Sequence, residues 1–125
     1  MCLYLKNSNV KVLIADKEIP VYKVLNINYN SPYLNMSYRN KNVTKKSKIL
    51  RCRTCVKNGL HSCLTIRAAK SIAVGNKMCI IVKMYIPKGA KYYLGMYNEV
   101  ASNQLNTSDL EVIYGKSFLP KKKKV

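Results

Sequence analysis

Only one stretch of this 125-residue chain carries a helical period. From Leu64 to Ala73 (LTIRAAKSIA), the residues Leu64, Ala68, Ala69, Ile72 and Ala73 recur on one helical face, with Arg67 and Lys70 on another. Gly75 supplies a natural C-terminal stop, and Ser62 or Cys63 falls near the N-cap. Elsewhere apolar residues come in short runs rich in β-branched and aromatic types, each bounded by turn formers. These runs are Met1 to Lys6, Val10 to Ala15, Ile19 to Leu25, Lys77 to Ile86, Ala90 to Met96 and Leu110 to Tyr114, with Glu99 to Leu105 ambiguous. Pro20 cannot donate to a ladder, so it belongs at a strand start or on an edge. Lys77 to Ile86 is the most hydrophobic run and is expected at the centre of the sheet. The expected fold class is α+β: a mainly antiparallel, twisted sheet of five to seven short strands, one principal helix and a long basic loop.

Length allows a single domain with a real core. The pattern places that domain at residues 1–115, with a basic loop at 26–57 and a disordered, lysine-rich tail at 116–125. From Asn26 the helical and strand periods both vanish, and Asn, Ser, Lys and Tyr take over. Between Arg39 and Lys57 there are eight Lys or Arg and no acid: Arg39, Lys41, Lys45, Lys46, Lys48, Arg51, Arg53 and Lys57. Tyr29, Tyr33 and Tyr38 lie among or just before these cations. Stacking faces interleaved with phosphate-neutralising charges suit single-stranded nucleic acid. The alternative is a solvated loop whose tyrosines fold back on the sheet. Lys121, Lys122, Lys123 and Lys124 add a second cationic segment near the C-terminus.

The charge balance bounds the partners. Twenty-three Lys and Arg against five Asp and Glu give a net charge of +18. A domain with that excess repels itself and gains by meeting a polyanion, whose condensed counterions are released on contact. Coding-sequence bias toward Lys, Asn, Ile and Tyr is the bland explanation, but it would enrich acids too, and here they are scarce.

Cysteine usage is odd in number (Cys2, Cys52, Cys55, Cys63, Cys79). The early apolar runs are too short for a signal peptide or a membrane span, so a reduced setting inside a cell and no membrane partner are expected. Cys52-x2-Cys55-x5-His61-x-Cys63 has the ligand types of a small zinc site, since two thiols two residues apart can grip one ion through a turn. Reduced structural thiols are the competing reading. His61, the only histidine, is the one candidate acid–base residue, although no acid lies near it in sequence. There is no Gly-rich phosphate loop, His-x-x-x-His pair or serine elbow.

Four short stretches carry a resemblance: Val21-Tyr22-Lys23-Val24, Gly59-Leu60-His61-Ser62 ahead of an Ala-Ala helix, Ile86 to Tyr93 (IPKGAKYY), and Ala101 to Leu105 (ASNQL). Together they resemble a group of small uncharacterised proteins encoded by tailed bacteriophages and related mobile elements, from about Leu3 to about Tyr114. The anchor is a Gly-(Phe or Leu)-His-(Ser or Ala) signature before a helix. This resemblance implies a viral origin, with host cytoplasm or virion as the location, and carries no activity. A more distant likeness is to ADP-ribosyltransferase cores, through Tyr22-Lys23, His61-Ser62, Pro87-Lys88-Gly89 and a late Glu99 or Glu111. The chain departs from that pattern with Lys23 in place of Arg, no Ser-Thr-Ser and no Glu-x-Glu.

Three functions are therefore expected in descending order. The first is a non-enzymatic basic protein binding nucleic acid or a nucleoprotein assembly electrostatically. The second is a virion or assembly component held by other virion proteins. The third is an ADP-ribosyltransferase-like enzyme or host-defence inhibitor using His61 and a distant glutamate.

Overall fold

The computed structural model describes residues 3–26, 28–31, 37–73, 79–107 and 111–114. Among these, the strands in chain order are β1 (Leu3–Tyr4), β2 (Leu13–Ile14), β3 (Ile19–Asn26), β4 (Thr44–Lys46), β5 (Arg51–Cys52), β6 (Cys55–Val56) and β7 (Leu60–Cys63). Helix α1 (Ile66–Ala73) follows, then β8 (Cys79–Ile86), β9 (Lys91–Leu94), β10 (Glu99–Ser102), β11 (Gln104–Asn106) and β12 (Val112–Tyr114).

The spine is the antiparallel pair β3 and β8, matched residue for residue from Ile19 opposite Ile86 to Asn26 opposite Cys79. In β3 every second residue, Val21, Lys23 and Leu25, is buried, as period-2 side-chain alternation requires of a strand with one inner face. In β8 the run Cys79 to Val82 is buried on both faces, followed by Met84 and Ile86. That run belongs to a central strand covered on both sides.

The main sheet runs β2, β9, β10, β7, β3, β8, β11, β4, with β12 also on β8. Strands β10 and β11 are one extended segment broken only at Asn103. Residues 99–102 pair with β7 and β9, while residues 104–106 pair with β8 and β4. Because β7, β3 and β8 are consecutive neighbours, the sheet curls round and returns to the strand it left. It is a rolled, barrel-like sheet. Val21, Leu25, Leu60, Ile80, Val82, Met84, Val100 and Leu105 form its principal core.

Two elements cover the opposite face. Helix α1 lays Ala69 against Cys63 and Ile81, with Tyr22, Val24 and Ala68 at the margin, alanines allowing close approach. A second sheet, β1–β6–β5, packs Leu3, Leu5 and Val56 on Ala101.

The α+β class and the mainly antiparallel sheet are as expected, but the count of five to seven strands is wrong. Among the described residues there are twelve, nine of them in the main sheet. The expected 26–57 loop accounts for much of the excess, since it contains β4, β5 and β6, each two or three residues long. Segments that short carry no periodicity, and their pairing comes from partners distant in sequence. The helix also begins later than expected. Ser62 and Cys63 belong to β7, and the cap is Thr65, whose Oγ1 accepts the Ala68 N–H at 3.1 Å. Ile72, expected on the inner face, is 38% exposed. Gly75, Tyr33 and the proposed 116–125 tail, with Lys121 to Lys124, lie outside the described residues.

Candidate functional site

Asn103 sits where the β10–β11 segment changes partners, and it knits three segments together. Its N–H donates to the Lys91 carbonyl at 3.0 Å, and its carbonyl accepts from Ser47 N–H at 3.1 Å. Its Oδ1 accepts the Lys91 N–H at 2.9 Å. The handover leaves an open groove of about 780 Å³ between the segment after β4 and the start of β9.

Three lysines line that groove. Lys46 faces Gln104 across the β4–β11 ladder, Lys91 faces Ile14 across β9–β2, and Lys48 comes from the irregular segment after β4. None of the ten lining residues is acidic. Tyr93, Asn103 and Gln104 add an aromatic ring and amides, and Val12 and Leu50 add apolar wall, 41% and 52% exposed.

Arg51 lies next to two of the lining residues in the chain or in space, Leu50 and Tyr93. Its Nη1 donates to the Val10 carbonyl, its Nη2 to the Ser8 carbonyl at 2.7 Å and its Nε to the Arg53 carbonyl at 2.9 Å. The guanidinium carbon lies 5.3 Å from the centroid of the Tyr93 ring. That is cation–π distance.

The sequence-derived cations divide accordingly. Lys46 and Lys48 enter the groove, and Lys45, one residue along β4, is half-buried opposite Leu105. Arg51 is half-buried, donates to three carbonyls and is not among the residues that line the groove. Arg39 is exposed with its Nε on the Asn28 carbonyl at 3.2 Å, and Lys41, Arg53 and Lys57 are exposed away from the groove lining. Tyr38, expected as a stacking face, is fully buried in the core, and Tyr29 is half-buried against the same cluster. Here the folded-back alternative holds, because the segment turns inward: Tyr38 N–H donates to the Tyr29 carbonyl at 2.7 Å. Sequence reasoning missed Lys91, Tyr93 and Asn103 as site residues. The Lys91-Tyr92-Tyr93 juxtaposition repeats the cation–aromatic mixture of the basic segment and was the available signal.

The cysteine–histidine constellation is dispersed through the fold. Cys52 and Cys55 flank the β5–β6 turn, whereas Cys63 lies under α1 and opposite both Tyr22 and Glu99. Among the described residues, no three His, Cys, Asp or Glu side chains group as a metal site requires. His61 stands opposite Ala101 with neither ring nitrogen hydrogen-bonded. Burial, and then the nearby Lys23 ammonium, push its pKa down to about 4. Glu99 is on the neighbouring strand opposite Cys63, and burial raises its pKa.

The Cys63 thiol is pushed up to about 12 by burial and by Glu99. Lys23 is buried at 6% exposure, its Nζ donating to the His61 carbonyl and lying 5.4 Å from the centroid of the Tyr38 ring. Burial lowers its pKa to about 8. No helix among the described residues is long and apolar enough to cross a membrane. Comparison with protein families, curated proteins and solved structures finds no match to this chain.

Proposed function

We propose that this chain is a non-enzymatic nucleic-acid-binding protein whose phosphate contacts centre on the Lys46, Lys48 and Lys91 groove. The observation that carries the reading is that three lysines and a tyrosine line one open groove whose lining includes no carboxylate. A net charge of +18 supports it at longer range, steering a polyanion toward the surface. Contacts of this kind neutralise phosphates and are blind to sequence. The basic residues Arg39, Lys41, Lys45, Arg53 and Lys57 extend the field around the groove without forming its walls. We further propose, from the resemblance read in the sequence alone, that the activity belongs in an infected host's cytoplasm or on a packaged genome.

The test is the salt dependence of binding to a short single strand. Log affinity should fall linearly with log salt, and Lys46→Ala/Lys48→Ala/Lys91→Ala should flatten that slope by about 2. Replacing the lysines at 121–124 should lower affinity without abolishing binding to the groove. Affinity that is indifferent to salt, or a triple variant with the native slope, refutes the reading.

A further inference from the structure

Cys52 and Cys55 stand directly opposite each other on β5 and β6, joined by the two-residue turn Arg53-Thr54. Opposed residues of an antiparallel pair project their side chains to the same face, with Cα atoms about 4.5–5.5 Å apart. A disulfide needs Cα atoms roughly 4.4–6.8 Å apart, so the backbone already satisfies that requirement. Backbone and arginine contacts hold the turn. Arg53 adopts φ +55°, its carbonyl accepts from Arg51 Nε, and the Thr54 carbonyl accepts from Leu5 N–H at 2.8 Å.

Access separates this pair from the other described cysteines. Cys52 is exposed and Cys55 half-exposed, whereas Cys63 and Cys79 are buried. Burial raises the thiol pKa of both buried residues and so suppresses the reactive thiolate.

We propose that Cys52 and Cys55 form a redox-active dithiol, closed to an intramolecular disulfide by exchange with a small disulfide such as oxidised glutathione. In the first step the Cys52 thiolate attacks one glutathione sulfur, and a glutathione thiolate leaves. The Cys55 thiolate then attacks the Cys52 sulfur of the mixed disulfide and expels the second glutathione. Two protein thiols are oxidised to one disulfide, one glutathione disulfide is reduced to two thiols, and the two protons end on the released glutathiones. The bridge encloses only Arg53 and Thr54, and such exposed bridges are the reducible kind. It forms one residue from Arg51, whose Nε donates to the Arg53 carbonyl of the same turn at 2.9 Å. The inference does not depend on what the groove binds.

Trypsin makes the linkage readable, because cleavage after Arg51 and Arg53 separates the two cysteines. The full chain, reduced and cleared of reductant, is incubated with oxidised glutathione, digested without reduction and mapped by mass spectrometry. The expected product is Cys52–Arg53 joined to Thr54–Lys57, lost again on treatment with dithiothreitol. In Cys52→Ser, Cys55 should instead accumulate a stable glutathione adduct. Persistent adducts on both cysteines of the native chain, or a bridge from either one to another cysteine, would overturn the proposal.

Discussion

Lys23 is the residue at which the local pattern and the fold disagree most. It occupies an inward position on β3, between Val21 and Leu25, where an aliphatic side chain would fit. Its ammonium is answered by the His61 carbonyl and the Tyr38 ring. With a folded pKa of about 8 against 10.5 for an ordinary lysine, the unfolded chain holds the extra proton between those values. Stability should therefore rise with pH above about 8. The rise ends near pH 9, where the unfolded Cys63 thiol ionises and the folded one, raised to about 12, does not. Burial also raises the Tyr38 hydroxyl and adds to the decline at higher pH. Denaturant titrations from pH 7.5 to 9.5 should show the local rise, and Lys23→Met should abolish it. A Lys23→Met variant with the native profile would mean that the ammonium is solvated. His61 works at the acid side. The unfolded imidazole takes up its proton near pH 6.5 and the folded one only near 4, so stability falls across that interval as pH drops. His61→Leu should flatten this limb in the same titration, and an unchanged acid limb would assign the loss to other groups.

Secondary elements differ in how much of themselves the sequence displays. The β3–β8 pair was legible because eight-residue strands show alternation or a continuous apolar run, and the expected Ile19 to Leu25 matches the observed Ile19–Asn26. Helix α1 was legible from its small apolar face, yet its cap was misplaced because Ser62 and Cys63 are recruited into β7 by pairing with β10. Thr65→Ala should cost about 1 kcal/mol in thermal or chemical denaturation, while Ser62→Ala should show no capping loss. Strands β4, β5 and β6 were illegible because three polar residues form a ladder only when a partner such as Gln104–Asn106 is brought to them. The same non-local closure gives Arg51, expected as a phosphate contact, backbone acceptors at Ser8 and Val10 that its own neighbourhood in sequence does not announce. How closely the small β1–β6–β5 sheet docks is readable at Gly95, where an added Cβ would lie 2.5 Å from the Leu3 side chain. Leu3 is 1% exposed and has little room to yield, so Gly95→Ala should destabilise by roughly 1–3 kcal/mol. A neutral Gly95→Ala would place the small sheet farther from β9 than described.

At the scale of the whole molecule, a charge of +18 acts on folding and on binding with opposite dependence on salt. The free chain is opposed by its own field, because compaction brings like charges within a screening length of about 10 Å at 0.1 M salt. Adding salt should raise the melting temperature of the free protein. A bound polyanion removes the same repulsion and stabilises the fold by mass action, but salt competes for the phosphate contacts. With saturating single-stranded DNA at low salt, the melting temperature should lie well above that of the free chain, and the two curves should converge as salt increases. The groove gives this behaviour a location. In Lys46→Ala/Lys48→Ala/Lys91→Ala the free chain loses three repelling charges and should gain some low-salt stability, while the DNA-induced increment shrinks. If the increment survives intact in that variant, the polyanion is held elsewhere on the basic surface and the groove reading falls. If the free protein instead loses stability as salt rises from low to moderate, attractive surface pairs outweigh repulsion, and the argument from net charge fails with it.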